Sequence, residues 1–184
     1  AMSDTDRYRV IDQLAEWSSE IRVVLTGGEQ FLARKRLYTL AAHCAHRGVY
    51  LTVSSNGTIL KPDDLERLPT SGIRCIVFSV DDDRPDMHDR IRGVPGTYER
   101  VMRSIRTLAG LPGRDPGVFS VLTSTILGAH NLGRIPQLLD ALEATGIDCM
   151  LFQPLQPRFA GTYDKDWWRR DPLYQQDAAL VDRG

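Results

Sequence analysis

Apolar and polar positions along the chain change period in a regular way. Residues 5–17, TDRYRVIDQLAEW, place Ile11, Leu14 and Ala15 on one face at helical spacing. IRVVLT (21–26) then runs apolar and β-branched, which predicts a buried strand. A second helix carries Leu37, Leu40, Ala41 and Cys44 at i, i+3, i+4, i+7 and closes at Gly48. VYLTVSS (49–55) predicts another strand, stopped by Asn56-Gly57. Pro62 opens a short helix, PDDLERL, and Gly72 ends that connection. IRCIVFSV (73–80) predicts a third strand that runs into three aspartates. A long polar loop is expected from there to a helix starting at Thr97, with Tyr98, Val101, Met102 and Ile105 inward. VFSVLTSTIL (118–127) predicts a fourth strand. Asn131 is expected to cap a helix bearing Ile135, Leu138, Leu139 and Leu142, which Gly146 stops before the fifth strand, IDCMLFQPL (147–155).

Strands that are apolar almost throughout, with helices between them, predict an α/β fold with a parallel sheet. The spacing agrees. Glu29, Asn56 and Asp81 each follow a strand, at gaps of 27 and 25 residues, and a βα unit takes about 30 residues or fewer. In parallel folds the carboxyl ends of the strands converge on one rim, and chemistry gathers there. That rim would hold Glu29; Ser54, Ser55 and Asn56; Ser79 and Asp81; Thr123 and Thr125; and Gln153.

Its chemistry favours one kind of ligand. Gly27 and Gly28 let a ligand approach bare backbone. Their carbonyls, with Glu29, suit an ammonium group, and the Ser, Asn and Asp positions suit a ribose diol. No G-x-G-x-x-G follows a strand and no G-x-x-x-x-G-K occurs. A nucleoside with a cationic amino-acid tail therefore fits better than a dinucleotide. Plainer readings stand beside this one. Glu29 can cap the next helix or pair with Arg34, and Ser55 and Asn56 can simply form a turn. Asp82, Asp83 and Asp86 read as a solvated charged loop with internal ion pairs, with His88 and Arg92 organising it. Thr123 and Thr125 read as ordinary strand residues, His43 and His46 as surface residues, and Trp167 and Trp168 as packing for a terminal segment.

Bulk numbers narrow the classes. The 184 residues carry a net charge of −1, with 42% hydrophobic and 26% charged. Nothing global attracts the chain to nucleic acid or an anionic membrane, and no apolar run approaches the roughly 20 residues of a membrane span. Cys44, Cys75 and Cys149 are scattered; they read as buried structural thiols in a reducing, cytoplasmic setting. Ala1-Met2 reads as a cloning scar and residues 1–4 as a disordered start.

The segments LTGGEQF, SSNGTIL and VFSVDDDRPDMHDRIRG, with the TIL…N and FQPL strand ends, resemble in order and spacing the core of the radical S-adenosylmethionine (radical SAM) superfamily. The resemblance covers residues 5–157. It implies a partial parallel (βα)6 TIM-type barrel, here missing its first strand, with 158–184 as a truncated carboxyl-terminal extension. It implies that Gly27, Gly28 and Glu29 hold the methionine amine. Ser55, Asn56, Ser79 and Asp81 would lie near ribose and sulfonium, Thr123 at the same rim, and Phe152 and Gln153 near adenine. The family cleaves S-adenosylmethionine with an electron from a 4Fe–4S cluster and uses the 5′-deoxyadenosyl radical for hydrogen abstraction. Implied partners are an electron donor and a small-molecule or peptide substrate, with no nucleic acid and no membrane. Gln30 stands where the family usually has proline, a position that shapes the turn. The family's C-x-x-x-C-x-x-C cluster loop has no counterpart here, so no metal ligand is assigned in this chain. A truncated, inactive piece of a longer enzyme is expected; a natural cluster-free binding or scaffold domain is the alternative. An open barrel edge would favour self-association. A cluster-independent aldolase or isomerase would want a strand-end lysine, and Lys35, Lys61 and Lys165 all lie off the strands.

Overall fold

A computed structural model describes residues 2–156 of the chain. Helix α1 (Asp4–Trp17) leads into β1 (Arg22–Leu25), α2 (Arg34–His46), β2 (Tyr50–Ser55), α3 (Pro62–Arg67) and β3 (Cys75–Ser79). Helices α4 (Pro85–Arg92) and α5 (Thr97–Ala109) precede β4 (Ser120–Leu127), and α6 (Ile135–Glu143) precedes β5 (Cys149–Pro154). All five strands pair in parallel and in chain order. The result is the expected α/β half-barrel.

Chain-order pairing decides where the core sits. Right-handed crossovers between neighbouring parallel strands send each connecting helix to the same face. The burial pattern shows that face. Val23, Leu25, Leu51, Val53, Ile76, Phe78, Val80, Val121 and Met150 belong to one apolar cluster with α2 residues Leu37, Leu40, Ala41 and Cys44 and α5 residues Val101, Met102, Ile105 and Leu108. The alternate strand residues, Val24, Val77, Leu122, Ile126 and Leu151, are absent from it. Side chains alternate along a strand, so these define the opposite, concave face.

Local signals explain the element ends. Ser3 accepts a hydrogen bond from the Asp6 amide and caps α1, so Ser3 and Asp4, expected to be disordered, begin the ordered chain. The expected polar loop after β3 contains α4 instead. Only His88 of that helix is buried, so no apolar stripe announces it. Its ends stabilise it: Pro85 opens it, Asp86 lies in the first turn, Arg90 and Arg92 in the last, and Gly93 closes it at φ +71°. Asn131 caps no helix; its side chain serves another purpose, described below. The expectations for Lys165, Trp167, Trp168 and the 158–184 extension fall outside the described residues.

Gly72 shows how tightly the helix layer meets the sheet. Its φ is +91°, and a Cβ there would lie 2.6 Å from the Ala41 carbonyl oxygen in α2. Gly93 shares the left-handed backbone but would meet nothing within 4 Å. Gly93→Ala should therefore carry the backbone penalty alone, about 1–2 kcal/mol. Gly72→Ala should add steric overpacking, for a total of about 3 kcal/mol or more. Urea unfolding of the two variants measures the difference.

Candidate functional site

Strand β1 ends beside a turn that only glycine tolerates. Gly27 and Gly28 have φ of +82° and +65°, and both are exposed with open space around the missing Cβ. Backbone conformation, not crowding, demands glycine here. Glu29 then caps a 3-10 turn, Gln30–Ala33. Its Oε1 accepts from the Phe31 amide at 3.2 Å, and its Oε2 accepts from the Asn56 amide at 2.9 Å. The Ser55 hydroxyl lies 3.0 and 3.1 Å from the two oxygens and donates between them. Glu29 thus ties the glycine turn to the end of β2. It does not pair with Arg34, whose Nε sits 2.8 Å from Asp64. Ser55 Oγ accepts from the Gly57 amide and Asn56 Oδ1 from the Thr58 amide, so both also build their own turn. The Gln30 side-chain amide donates to the Gly27 carbonyl at 2.9 Å.

The sheet register divides the residues expected at the rim between two faces. Ser55, Phe78, Thr123 and Met150 occupy one row, on the helix side. Thr125 and Phe152 pair and share that side. Ser79, Ser124 and Leu151 form a concave row, with Ser54 two residues below on β2, beside Val77, and Gln153 two beyond on β5. Ser55 and Thr123 are therefore second to the mouth rather than in it. Thr123 Oγ1 is buried without a partner among the described residues. The concave side instead offers Ser54, Ser79, Ser124 and Gln153, whose side chains have no hydrogen-bond partner among the described residues. Ser124 carries no distinguishing signal in the sequence; the strand SVLTSTIL has hydroxyls in both phases, so its apolar alternation marks no face.

Asp81 is a buried junction. Its amide donates to His88 Nδ1 at 3.2 Å, its carbonyl accepts from Asn131 Nδ2 at 2.7 Å, and its Oδ1 accepts from the Ile126 amide at 3.2 Å. Arg92 Nη2 lies 2.7 Å from Oδ2, a charge pairing off the line of a hydrogen bond. Asn131 also donates to the Ile126 carbonyl and accepts from the Gly128 amide. Together they lock the loops after β3 and β4. Asp81, only 1% exposed, offers a ligand no free carboxylate edge. Of the neighbouring aspartates expected in a solvated, ion-paired loop, Asp86 is exposed, but Asp82 and Asp83 are drawn inward by arginines. Asp82 is fully buried and takes three hydrogen bonds from Arg84. Asp83 is held by Arg134, whose guanidinium keeps the carboxyl below its usual range. His88 and His130 are pushed toward the neutral form by burial, with Asp81 opposing. Burial raises Asp89 less than the Thr97 hydroxyl and the Tyr98 and Gly96 amides lower it, leaving it at about 2.

The donor set does not suit a metal cluster. Among the described residues no group of three His, Cys, Asp or Glu can hold a metal ion. Cys44 and Cys75 are buried, and burial raises both thiols. Cys149, expected to be buried, is exposed, because it lies on the concave side of the strand that ends the sheet. Cys75 and Cys149 both start their strands, at the end away from the mouth. The mouth does suit an adenosyl ligand with an amino-acid tail, through its open carbonyl turn and unpartnered hydroxyls.

Comparison with known proteins gives a consistent picture. The profile of the radical SAM superfamily matches residues 1–142. The AdoMet-dependent heme synthase of Nitratidesulfovibrio vulgaris is 30% identical over 165 residues, covering 89% of this chain and 43% of the relative. The chain thus spans less than half of that relative's length. Among solved structures, anSMEcpe with AdoMet and the Kp18Cys peptide superposes with a TM-score of 0.72 at 12% identity, over 95% of this chain and 47% of that one. Streptococcus suis SuiB bound to S-adenosylmethionine gives 0.68 at 17%, over 92% and 37%. At such identities these two speak to the fold.

The histidines make the junction acid-sensitive. A group whose folded pKa is depressed stabilises the fold above its unfolded pKa, about 6.5 for histidine, and that contribution is lost as pH falls. Urea unfolding should show stability declining from about pH 6.5 toward 5, before the carboxylates titrate, by at most about 1.4 kcal/mol per pH unit for each histidine. His88→Phe should be less stable at pH 7.5, since the Asp81 amide loses its acceptor, yet decline less steeply.

Proposed function

The chain belongs to the radical SAM superfamily, and from that premise we propose that its concave mouth is an S-adenosylmethionine site within a larger radical SAM enzyme. One observation carries the reading: unpartnered Ser54, Ser79, Ser124 and Gln153 face the mouth beside the open Gly27–Gly28 turn. The turn carbonyls and Glu29 take the methionine ammonium. Glu29 already accepts from three donors, and a carboxylate has about four acceptor sites, so one remains. Ser79 and Ser124 are register partners on adjacent strands, roughly 4.8 Å apart at the backbone, a spacing that suits a ribose diol. Asn56 and the backbone at Phe152 and Gln153 flank the nucleoside. Ser55, Asp81 and Thr123 act one layer behind, holding the turn and the loops. Bound and reduced by one electron, S-adenosylmethionine supplies in this family the 5′-deoxyadenosyl radical for hydrogen abstraction.

The 4Fe–4S cluster finds no ligand set among the described residues, so no step is routed through it here. The substrate is a small molecule or a peptide: one relative is named a heme synthase, and one structural neighbour carries a peptide. A second reading, a cluster-free binding domain, draws on one feature. The outer edge of β1 has no partner strand among the described residues. It borders a groove of about 640 Å³ in which Val10, Val24 and Leu32 are exposed. Such an edge can self-associate by strand addition.

Without an iron to chelate the amino acid, affinity rests on a few hydrogen bonds of about 0.5–1.5 kcal/mol each. Four of them give a dissociation constant of order 1 mM. Titration of the labelled chain with S-adenosylmethionine should shift the amides of Gly27, Gly28, Ser79 and Gln153 in that range, and no 5′-deoxyadenosine should form under reducing conditions. Micromolar binding, turnover by this chain, or shifts confined to another surface would contradict the proposal.

A further inference from the structure

The bond from Gln30 to the Gly27 carbonyl has a role that the ligand reading alone does not give it. Two consecutive glycines with positive φ make the most mobile backbone a turn can have, because glycine loses more freedom on ordering than any other residue. Both are exposed, and neither is packed against a side chain that a Cβ would touch. Glu29 anchors the turn only after the glycines. Across the glycines themselves, the Gln30 side-chain amide is the brace: its Nε2 reaches back three residues to the Gly27 oxygen at 2.9 Å. A carbonyl oxygen has two lone pairs, so the brace leaves one free.

We propose that Gln30 is a positioning residue that pre-organises the Gly27–Gly28 carbonyl turn for an ammonium group. The inference rests on the S-adenosylmethionine reading of this mouth. Gln30 occupies the first position of a 3-10 turn whose cap, Glu29, has extended backbone with φ −119° and ψ 114°. Its own N–H has no partner among the described residues. Those are the conditions under which proline is tolerated, and the residue before it is in the region proline requires. Every substitution that removes the side-chain amide removes the brace. Gln30→Ala and Gln30→Gly leave the turn loose. Gln30→Pro also removes it and stiffens only residues 29 and 30, downstream of the glycines.

The test uses the whole isotope-labelled chain and three probes. S-adenosylmethionine and S-adenosylhomocysteine carry the amino-acid end; 5′-methylthioadenosine lacks it. Amide shifts give the affinities, and heteronuclear relaxation at Gly27 and Gly28 reports the mobility of the turn. Gln30→Ala and Gln30→Gly should weaken the two amine-bearing probes about 2- to 5-fold, the loss of one modest hydrogen bond, and should raise mobility at both glycines. Gln30→Pro should weaken the same two probes to a similar degree and also raise mobility at both glycines, because the bond across them is gone. Binding of 5′-methylthioadenosine should not change in any variant. If Gln30→Ala and Gln30→Pro weaken binding with no rise in mobility at Gly27 and Gly28, the side chain contacts the ligand directly and the bracing role is wrong. Tighter binding by Gln30→Ala would make Gln30 a competitor for the carbonyl. Equal losses for all three probes, or none for any, would also overturn the proposal while leaving the nucleoside site intact. Absence of binding by every probe to the native chain would instead remove the site itself.

Discussion

A parallel sheet whose strands pair in chain order can bury only one face beneath its own crossover helices. Everything else in this molecule follows from that constraint. The helix-side phase of β2, β3 and β4 becomes core, from Leu51 and Val53 through Ile76 and Phe78 to Val121. The other phase is left to the concave side, where it needs no apolar continuity. Small polar residues survive there: Thr52 and Ser54 on β2, Ser79 on β3, Ser124 on β4. The carboxyl ends of the strands become a place where hydroxyls can wait unpaired, because the side chains that would satisfy or cover them are on the far face.

The loops at those ends are fixed from within by hydrogen bonds. Two carboxylates provide this fixation by accepting from backbone amides. Glu29 joins the turn after β1 to the end of β2 through the Asn56 amide. Asp81 joins the end of β3 to that of β4 through the Ile126 amide. The two differ in burial. Glu29 is half-buried and keeps an acceptor site open, whereas Asp81 is enclosed and matched to Arg92. A buried pair of this kind is worth little net against an apolar substitute, but removing one partner strands the other and costs about 3–5 kcal/mol. That asymmetry suits a junction that must not rearrange.

Much of this was legible in the sequence, and the gaps have physical causes. Five strands, the helices between them and the rim positions follow from apolar runs and glycine stops, because a fully buried strand writes its character on every residue. Face assignment is harder for the same reason. In β2 the alternation of Leu51 and Val53 against Thr52 and Ser54 does place Ser55 on the helix side. In β4, hydroxyls occur in both phases, so Thr123 and Ser124 are indistinguishable without the register. Helix α4 was hidden because its end signals and a single buried His88 stabilise it. Asn131 looked like a cap by residue type, yet its amide is spent on Asp81, 50 residues away, a pairing that no local pattern encodes. Gln30 gave no sign of its bond to Gly27, since a glutamine in a turn is ordinarily just solvated.

The run of aspartates after β3 shows how far charge in sequence is from charge in a site. Three consecutive carboxylates at a strand end suggest a strongly negative mouth. The structure pairs each with its own arginine: Asp81 with Arg92, Asp82 with Arg84 and Asp83 with Arg134. Arginine suits this, because its fork meets both oxygens of a carboxylate, as Arg84 does with Asp82 and Arg134 with Asp83. The pairs cancel one another's field beyond a few ångströms, and the run serves as a clamp rather than a lure. Among the described rim residues, that leaves Glu29 as the carboxylate whose charge still reaches the mouth. In the proposed site, discrimination in favour of a cationic tail would then rest on one residue and on the two glycines beside it. The stiffness of that single turn would matter more to such recognition than the number of acidic residues nearby.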